Sequence, residues 1–370
     1  MKKFILLLVI LLFSCSTSSV EYRTATTALR NDGDYDKAEK FAIQALEVNP
    51  EDALPAYFLA MEIYGAKNSR KKNYTKSAYY LQQAKTIDLI DASKDQKLEK
   101  PIPIETEQGI QELTTIKEAI EYYSPSIWSE LFNEGINTKN SGDFEGAIKL
   151  FFTCIELQPE RIENYEILAG LYYDQNDFEN AVEYANKGLE MNPNFAFFWT
   201  IKGMIYMDNN DNILAEEMLR KAFDLASDAN ESSEKLSGHM SRLFDILFRN
   251  DKKDEALQLS AELIANNPED VILYSNAGVV YQDLFDESVI KAYSKLANLD
   301  ILNELELEEL QEQFQDCINL ATKARENFLM CSELELDEVE GEKYYKESKK
   351  LKTQISEIKR QIKSINKKLD

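Results

Sequence analysis

The sequence predicts an all-α fold built from repeated helical hairpins. Three observations predict this fold class: self-similarity at a period of 34 residues, apolar side chains that recur at helical spacing, and only 12 Gly and 8 Pro in 370 residues. The low content of helix-breaking residues allows long helices. A fixed period of this length is typical of stacked repeat proteins, which are not limited by the size of a single hydrophobic core.

The first residues have the pattern of an export signal. Lys2 and Lys3 precede ten apolar residues, and small residues follow. The apolar stretch is too short to cross a ~30 Å hydrocarbon layer as a helix. The cysteine at its end, Cys15, resembles the acylated cysteine of bacterial lipoproteins. This resemblance implies a signal peptide at residues 1–14, a lipid on Cys15 and tethering to a membrane of the bacterial cell envelope, with the outer membrane expected. An ordinary secretory signal and an uncleaved anchor are the alternatives.

The 34-residue period is clearest in the middle of the chain. A Gly-Asp or Asn-Asp pair lies a few residues before an alanine in each repeat, at Ala147, Ala181 and Ala215. Gly or Asn tolerates a left-handed turn, and Asp caps the helix that follows. Small residues, which let neighbouring helices approach closely, recur with the same period at Gly135, Ala169 and Gly203.

This pattern resembles the tetratricopeptide repeat (TPR) family, whose unit is a pair of antiparallel helices. The resemblance implies a TPR-type helical-hairpin solenoid, with an N-terminal TPR pair at 19–91 and an array of about five units at 128–304. The units are expected at residues 19–52, 53–91, 128–161, 162–195, 196–229, 237–270 and 271–304. The last of these lacks the turn signature.

Two segments outside the repeats are also expected to contain helices. Residues 92–127 are predicted to form a linker plus one non-repeat helix, because apolar residues follow helical spacing from Ile110 to Tyr123. Residues 305–370 are predicted to form a helical hairpin with a turn near Gly341, because an acidic apolar-striped segment precedes a basic one. An intermolecular coiled coil and attachment of the lysine-rich face to a membrane are the alternatives.

The composition argues against several kinds of chemistry. The net charge of −24 disfavours binding to nucleic acid. A single histidine, His239, and four cysteines without a CxxC pair give no basis for a metal site, and 66 acidic residues make any carboxylate pair uninformative. We therefore predict no catalytic residues, no metal and no cofactor. The cysteines after Cys15 are expected to pack as small buried side chains.

The binding surface is expected on the first helix of each unit, because TPR proteins bind peptides in the concave groove that these helices line. The predicted groove residues are Phe132, Ile136, Glu166, Tyr173, Phe197, Met204 and Met207. Aromatic and methionine side chains suit an adaptable apolar site. The predicted function is a lipid-anchored TPR adaptor or scaffold with a protein or peptide partner. The alternatives are a homo-oligomer held by a C-terminal coiled coil and an envelope enzyme on a helical scaffold.

Overall fold

A computed structural model describes residues 18–90, 95–107, 109–297 and 302–369. The predicted signal peptide and Cys15 lie outside these described residues. Within the described ranges, no helix has both the length and the apolar character that a membrane crossing requires. The chain divides into two compact units, here called the N-terminal unit (residues 1–171) and the C-terminal unit (residues 172–370).

The N-terminal unit contains paired helices and one strand hairpin. Its elements are α1 (Val20–Thr27), α2 (Tyr35–Val48), α3 (Leu54–Phe58), α4 (Tyr74–Asp88), β1 (Lys97–Thr106), β2 (Gly109–Thr115), α5 (Ile116–Asn140), α6 (Phe144–Leu157) and α7 (Ile162–Asp174), the last of which contains the boundary between the units. Helices α1 and α3 each continue into a π-helical turn, Ala28–Asp32 and Leu59–Tyr64. Buried alanines on α2, such as Ala38 and Ala42, allow close helix packing.

Residues 97–115 differ from the sequence prediction. Instead of a linker and the start of a helix, they form an antiparallel hairpin in which Ile102 lies opposite Leu113. Pro101 on β1 cannot continue a helix, and the β-branched residues before Ile116 favour extended backbone. The predicted non-repeat helix begins only at Ile116, where Thr115 and Glu118 form a capping box, and it runs without a break into the first helix of the next repeat.

The C-terminal unit contains helical pairs, which are followed by a helical bundle at its C-terminal end. Its helices are α8 (Phe178–Met191), α9 (Ala196–Asp208), α10 (Asn212–Asp228), α11 (Ser233–Arg249), α12 (Lys253–Asn266), α13 (Val271–Leu296), α14 (Glu304–Leu334) and α15 (Glu338–Leu369). The turns within the pairs use left-handed residues, namely Asn176, Asn210 and Asp251, with φ between 59° and 60°. These residue types tolerate that conformation.

The seventh predicted unit is a single helix and not a pair. The residue that would occupy its left-handed turn is Phe285, which is 1% exposed. A bulky buried aromatic side chain disfavours positive φ, so α13 continues for 26 residues. It then packs antiparallel to α14, with Val271 near Cys331 and Tyr293 against Phe314.

Helices α14 and α15 form the predicted C-terminal hairpin. Its seam buries apolar side chains that include Phe314, Leu351 and Ile358. The turn lies at residues 335–337, earlier than the expected position near Gly341, which is buried within α15. The predicted fold class, all-α with TPR-type helical pairs and a C-terminal helical hairpin, is confirmed.

Candidate functional site

A cavity of about 580 Å³ opens on the first helices of successive repeats in the C-terminal unit. Its lining combines apolar, aromatic, basic and acidic side chains. These include Tyr173 at the end of α7, Met204 and Met207 on α9, Arg242, Asp245 and Phe248 on α11, and Asn276 and Val279 on α13. Concave sites of this size with an apolar wall and a few polar groups are typical of ligand sites.

The repeat itself places these side chains together. Tyr173, Met207 and Phe248 occupy equivalent positions in three successive units, each at the second-last residue of the first helix. Met204 and Asp245 are likewise equivalent to each other, one turn earlier. Residues three apart lie on the same helix face, so Met204 with Met207 on α9 and Asp245 with Phe248 on α11 form neighbouring pairs in the wall.

Tyr173 forms a fixed edge of the cavity. Its hydroxyl donates a hydrogen bond of 2.8 Å to Asp208 Oδ2, and its ring stacks near Phe178 with centroids 5.9 Å apart. Burial, together with the hydrogen bond to Asp208, raises the pKa of Tyr173 to about 12. The phenol is therefore neutral at pH 7, and Asp208 is already engaged as an acceptor.

Two donors in the cavity have unused capacity. The Nδ2 atom of Asn276 is buried and has no hydrogen-bond partner among the described residues. Arg242 contacts Met204 Sδ through Nε at 2.9 Å and reaches the Gly238 carbonyl oxygen through Nη1 at 3.4 Å, both weak acceptor arrangements. A buried amide without a partner costs free energy that a ligand acceptor would recover.

The negative charge of Asp245 in the cavity wall is partly neutralised. Asp245 lies 3.3 Å from Arg249, one turn further along α11. Arg249 engages Asp245 and Tyr173 engages Asp208, so Arg242 and Asn276 are the donors of the cavity that have no strong acceptor among the described residues. The arrangement therefore favours a ligand that combines apolar side chains with carbonyl or carboxylate oxygens.

Three of the seven predicted groove residues, Tyr173, Met204 and Met207, line this cavity. Phe132 instead packs inside the N-terminal unit, where its ring stacks on Trp128 at 4.9 Å and meets Phe151 edge-on at 5.3 Å. The prediction missed this because helical spacing alone does not show where the next aromatic ring lies. The other three, Ile136, Glu166 and Phe197, are half-buried and are not among the lining residues of this cavity.

The face of α5 that lines a cavity is polar. A separate space of about 550 Å³ in the N-terminal unit is bordered by Glu130, Asn133, Glu134 and Asn137, together with residues near Lys72. This face lies to one side of the predicted residues Phe132 and Ile136. Tyr74 is the one aromatic residue among its lining, which has no methionine or aliphatic side chain like those of the other cavity.

Sequence reasoning also missed Arg242, Asp245, Phe248, Asn276 and Val279. The signal was present for three of them, because Asp245 and Val279 match Met204, and Phe248 matches Met207, in the repeat register. In the repeat register, Arg242 and Asn276 lie one helical turn before the position of Met204, and no groove residue was predicted there. Applying the same repeat register to the sixth and seventh predicted units would have identified the lining residues on α11 and α13.

The remaining reactive groups do not form a catalytic arrangement in the described ranges. His239 is nearly buried between Thr200 and Glu231, and burial lowers its pKa. Burial raises the pKa of the thiols to about 12 for Cys154 and Cys331 and to about 11 for Cys317. Thiols with such pKa values are unreactive at pH 7. Among the described residues no cluster of three or more His, Cys, Asp or Glu side chains is arranged to hold a metal ion.

The tetratricopeptide repeat family matches residues 27–52, 162–195 and 198–228. A search of the curated proteins finds no match to this sequence. Among solved structures, yeast Tom70 is similar at 16% identity over 92% of this chain and 65% of that chain, with a TM-score of 0.43. The pilF protein of Pseudomonas aeruginosa is similar at 17% identity over 60% and 99% of the two chains, with a TM-score of 0.39. The TPR protein YrrB, described with an unusual peptide-binding site, is similar at 16% identity over 58% and 90%, with a TM-score of 0.35.

The family match falls on three of the helical pairs described above. It covers α7 with α8 and α9 with α10 almost completely, and the second helix of the first pair. The matched residues therefore have the TPR pattern, and three residues of the cavity, Tyr173, Met204 and Met207, lie within them.

Proposed function

We propose that this protein is a TPR adaptor that holds a segment of a partner protein in the cavity of the C-terminal unit. The observation that carries the proposal is the lining itself, in which the apolar side chains of Met204, Met207, Phe248 and Val279 occur together with Asn276, whose Nδ2 has no hydrogen-bond partner among the described residues. Flexible methionine side chains adapt to different apolar side chains, and the amide donor recognises a backbone carbonyl or carboxylate. Binding and not catalysis is proposed as the activity.

The partner segment is expected to be extended or helical, with apolar side chains directed into the cavity. Arg242 and Asn276 both donate hydrogen bonds, so the proposal favours a segment with an acceptor group next to its apolar anchor. Tyr173 and Arg249 already engage Asp208 and Asp245, which leaves these carboxylates less available to basic residues of the partner.

A photo-crosslinking amino acid at Val279 tests the proposal. Val279 is 45% exposed and lines the cavity, so the probe reaches a bound segment without disturbing the core. The control position is Ile290, which is 69% exposed on the same helix and is not among the lining residues. A partner captured from Val279 and not from Ile290 supports the proposal, and loss of that capture in Met207→Glu identifies the cavity as the site. Equal capture from both positions contradicts it.

We also propose that the adaptor is attached to a bacterial envelope membrane through a lipid on Cys15. The proposal rests on the basic start, the short apolar stretch and the position of this cysteine. Metabolic labelling with a radioactive fatty acid is expected to label the natural chain and not Cys15→Ala, while Cys154→Ala serves as the matched control and keeps the label. Equal labelling of the Cys15→Ala variant would remove this part of the proposal and leave the cavity unaffected.

The alternative of a C-terminal oligomer has less support. The apolar residues that would form an intermolecular coiled coil, such as Leu351, Ile358 and Ile365, are buried against α14 of the same chain. An oligomer through this seam would require the hairpin to open.

A further inference from the structure

The outer face of α15 carries an uninterrupted line of cations. Residues 343–370 contain 10 basic and 3 acidic residues, although the whole chain has a net charge of −24. All ten basic side chains are exposed. Six of them share one side of the helix and are here called the basic stripe: Lys349, Lys352, Lys359, Arg360, Lys363 and Lys367.

The geometry of the hairpin directs the basic stripe away from the protein. Leu351, Ile358 and Ile365 occupy the opposite side of α15 and are buried against α14. The stripe extends over 19 residues of one continuous helix, a length of about 27 Å for 18 steps of ~1.5 Å. Packing of the apolar side therefore fixes a straight row of positive charges that faces solvent.

The basic stripe is not neutralised by the protein. The ion pairs within α15 involve Lys343, Lys346 and Lys350, which lie outside it. None of the six stripe residues has a carboxylate within ion-pair distance in the part of the chain that the structure describes. Their charge is thus available to an external anion.

The composition of the basic stripe distinguishes a lipid surface from a protein partner. Five of its six residues are lysine, and the side chains between them on this side are polar, as at Ser356. Protein interfaces are depleted in lysine and depend on buried aromatic or arginine anchors, whereas the one arginine of the stripe, Arg360, is exposed. Flexible ammonium groups suit the diffuse phosphate charge of a bilayer, to which a straight helix can lie parallel.

We propose that the basic stripe of α15 binds the surface of a membrane that contains anionic phospholipids. The contact is electrostatic, because the side chains between Lys349 and Lys367 on this face are polar or charged. It is independent of the cavity. It would supply a second membrane signal beside a lipid on Cys15, since durable attachment generally needs two signals.

Flotation of the full-length protein with lipid vesicles tests this proposal. Binding to phosphatidylcholine vesicles is compared with binding to vesicles that also contain phosphatidylglycerol. A cation close to an anionic lipid surface strengthens association about fivefold. We expect the gain from phosphatidylglycerol to fall about 100-fold or more in a variant with Lys352→Gln, Lys359→Gln, Lys363→Gln and Lys367→Gln, and to weaken as salt is added.

The matched control removes the same charge from four exposed lysines outside α15, through Lys37→Gln, Lys40→Gln, Lys85→Gln and Lys117→Gln. This control is expected to keep the gain from phosphatidylglycerol. An equal loss in both variants, or no gain in the natural protein, overturns the proposal, as does tighter binding of duplex DNA than of anionic vesicles at the same salt. Loss of a lipid at Cys15 lowers binding to both kinds of vesicle, so failure of that attachment is distinguished from failure of the basic stripe.

Discussion

Glu216 on α10 shows how single side chains connect successive repeats. Its carboxylate accepts hydrogen bonds from Arg220 Nε at 2.8 Å, Lys252 Nζ at 2.7 Å and Asn250 Nδ2 at 2.7 Å, the last two from the next helical pair. Burial opposes its ionisation, but these three donors outweigh burial and lower its pKa to about 2. The ionised group therefore joins α10 to the turn between α11 and α12.

This pKa predicts a pH-dependent contribution to stability. Because the pKa of Glu216 is lower in the folded chain than its ordinary value of 4.5, its contribution is complete above about pH 4.5 and is lost as the pH falls towards 2. We expect Glu216→Gln to lower the free energy of unfolding by about 2 kcal/mol at pH 7 and by much less at pH 3. Urea unfolding followed by circular dichroism at both pH values measures this difference. A deficit of the same size at both would exclude the titration of Glu216 as its cause.

Two glycines give a matched pair of predictions about packing. A Cβ atom at Gly188 would lie 2.1 Å from the ring of Phe198, which is fully buried, whereas a Cβ atom at Gly238 meets nothing within 4 Å. Gly188→Ala is expected to destabilise the fold by about 1–3 kcal/mol, and Gly238→Ala to stabilise it by about 0.5–1 kcal/mol through helix propensity. Thermal unfolding of both variants checks the opposite signs. Similar shifts would mean that Phe198 moves aside at little cost.

At the scale of the element, aspartate caps define where the second helices begin. Asp143, Asp177 and Asp211 each accept a hydrogen bond from the backbone N–H three residues later. We expect Asp177→Ala to lower the free energy of unfolding by about 1 kcal/mol. The control Glu179→Ala, which changes an exposed acid in the same helical turn, is expected to stay within about 0.5 kcal/mol of the natural protein. Equal losses would attribute the effect to the helix dipole and not to the cap.

The helical pairs could be predicted because the turn residues that specify them act on the local backbone. The predictions were wrong where contacts between residues distant in sequence determine the structure. Turn residues such as Asn176 and Asn210 specify a left-handed backbone by themselves. Ile110 and Leu113 matched helical spacing equally well, yet they lie in a strand whose partner carries prolines. The cavity was predicted only in part, because the predicted positions on α9 were not extended to the equivalent residues of α11 and α13, such as Asp245, Phe248 and Val279.

At the scale of the whole molecule, α15 covers apolar surface that would otherwise be open. Phe314 and Phe328 on α14 are buried in the bundle, and Tyr344 of α15 stacks against Phe328. We expect removal of residues 338–370 to expose this surface and to increase the mass of the particle in light scattering, because exposed apolar patches promote association. A coiled coil between chains predicts the reverse, a change from dimer to monomer. The measurement therefore separates the two arrangements.

The continuous path of α13 through Phe285 has a consequence for how the repeats stop. A further helical pair with an uncovered apolar face would allow a second molecule to stack on the end of the array. Such head-to-tail contacts propagate into filaments. Here one aromatic residue suppresses the turn, and the lengthened helix joins α14 and α15 in a closed bundle. The series of helical pairs therefore ends at α13, where buried Phe285 occupies the position of the turn that would have divided this helix.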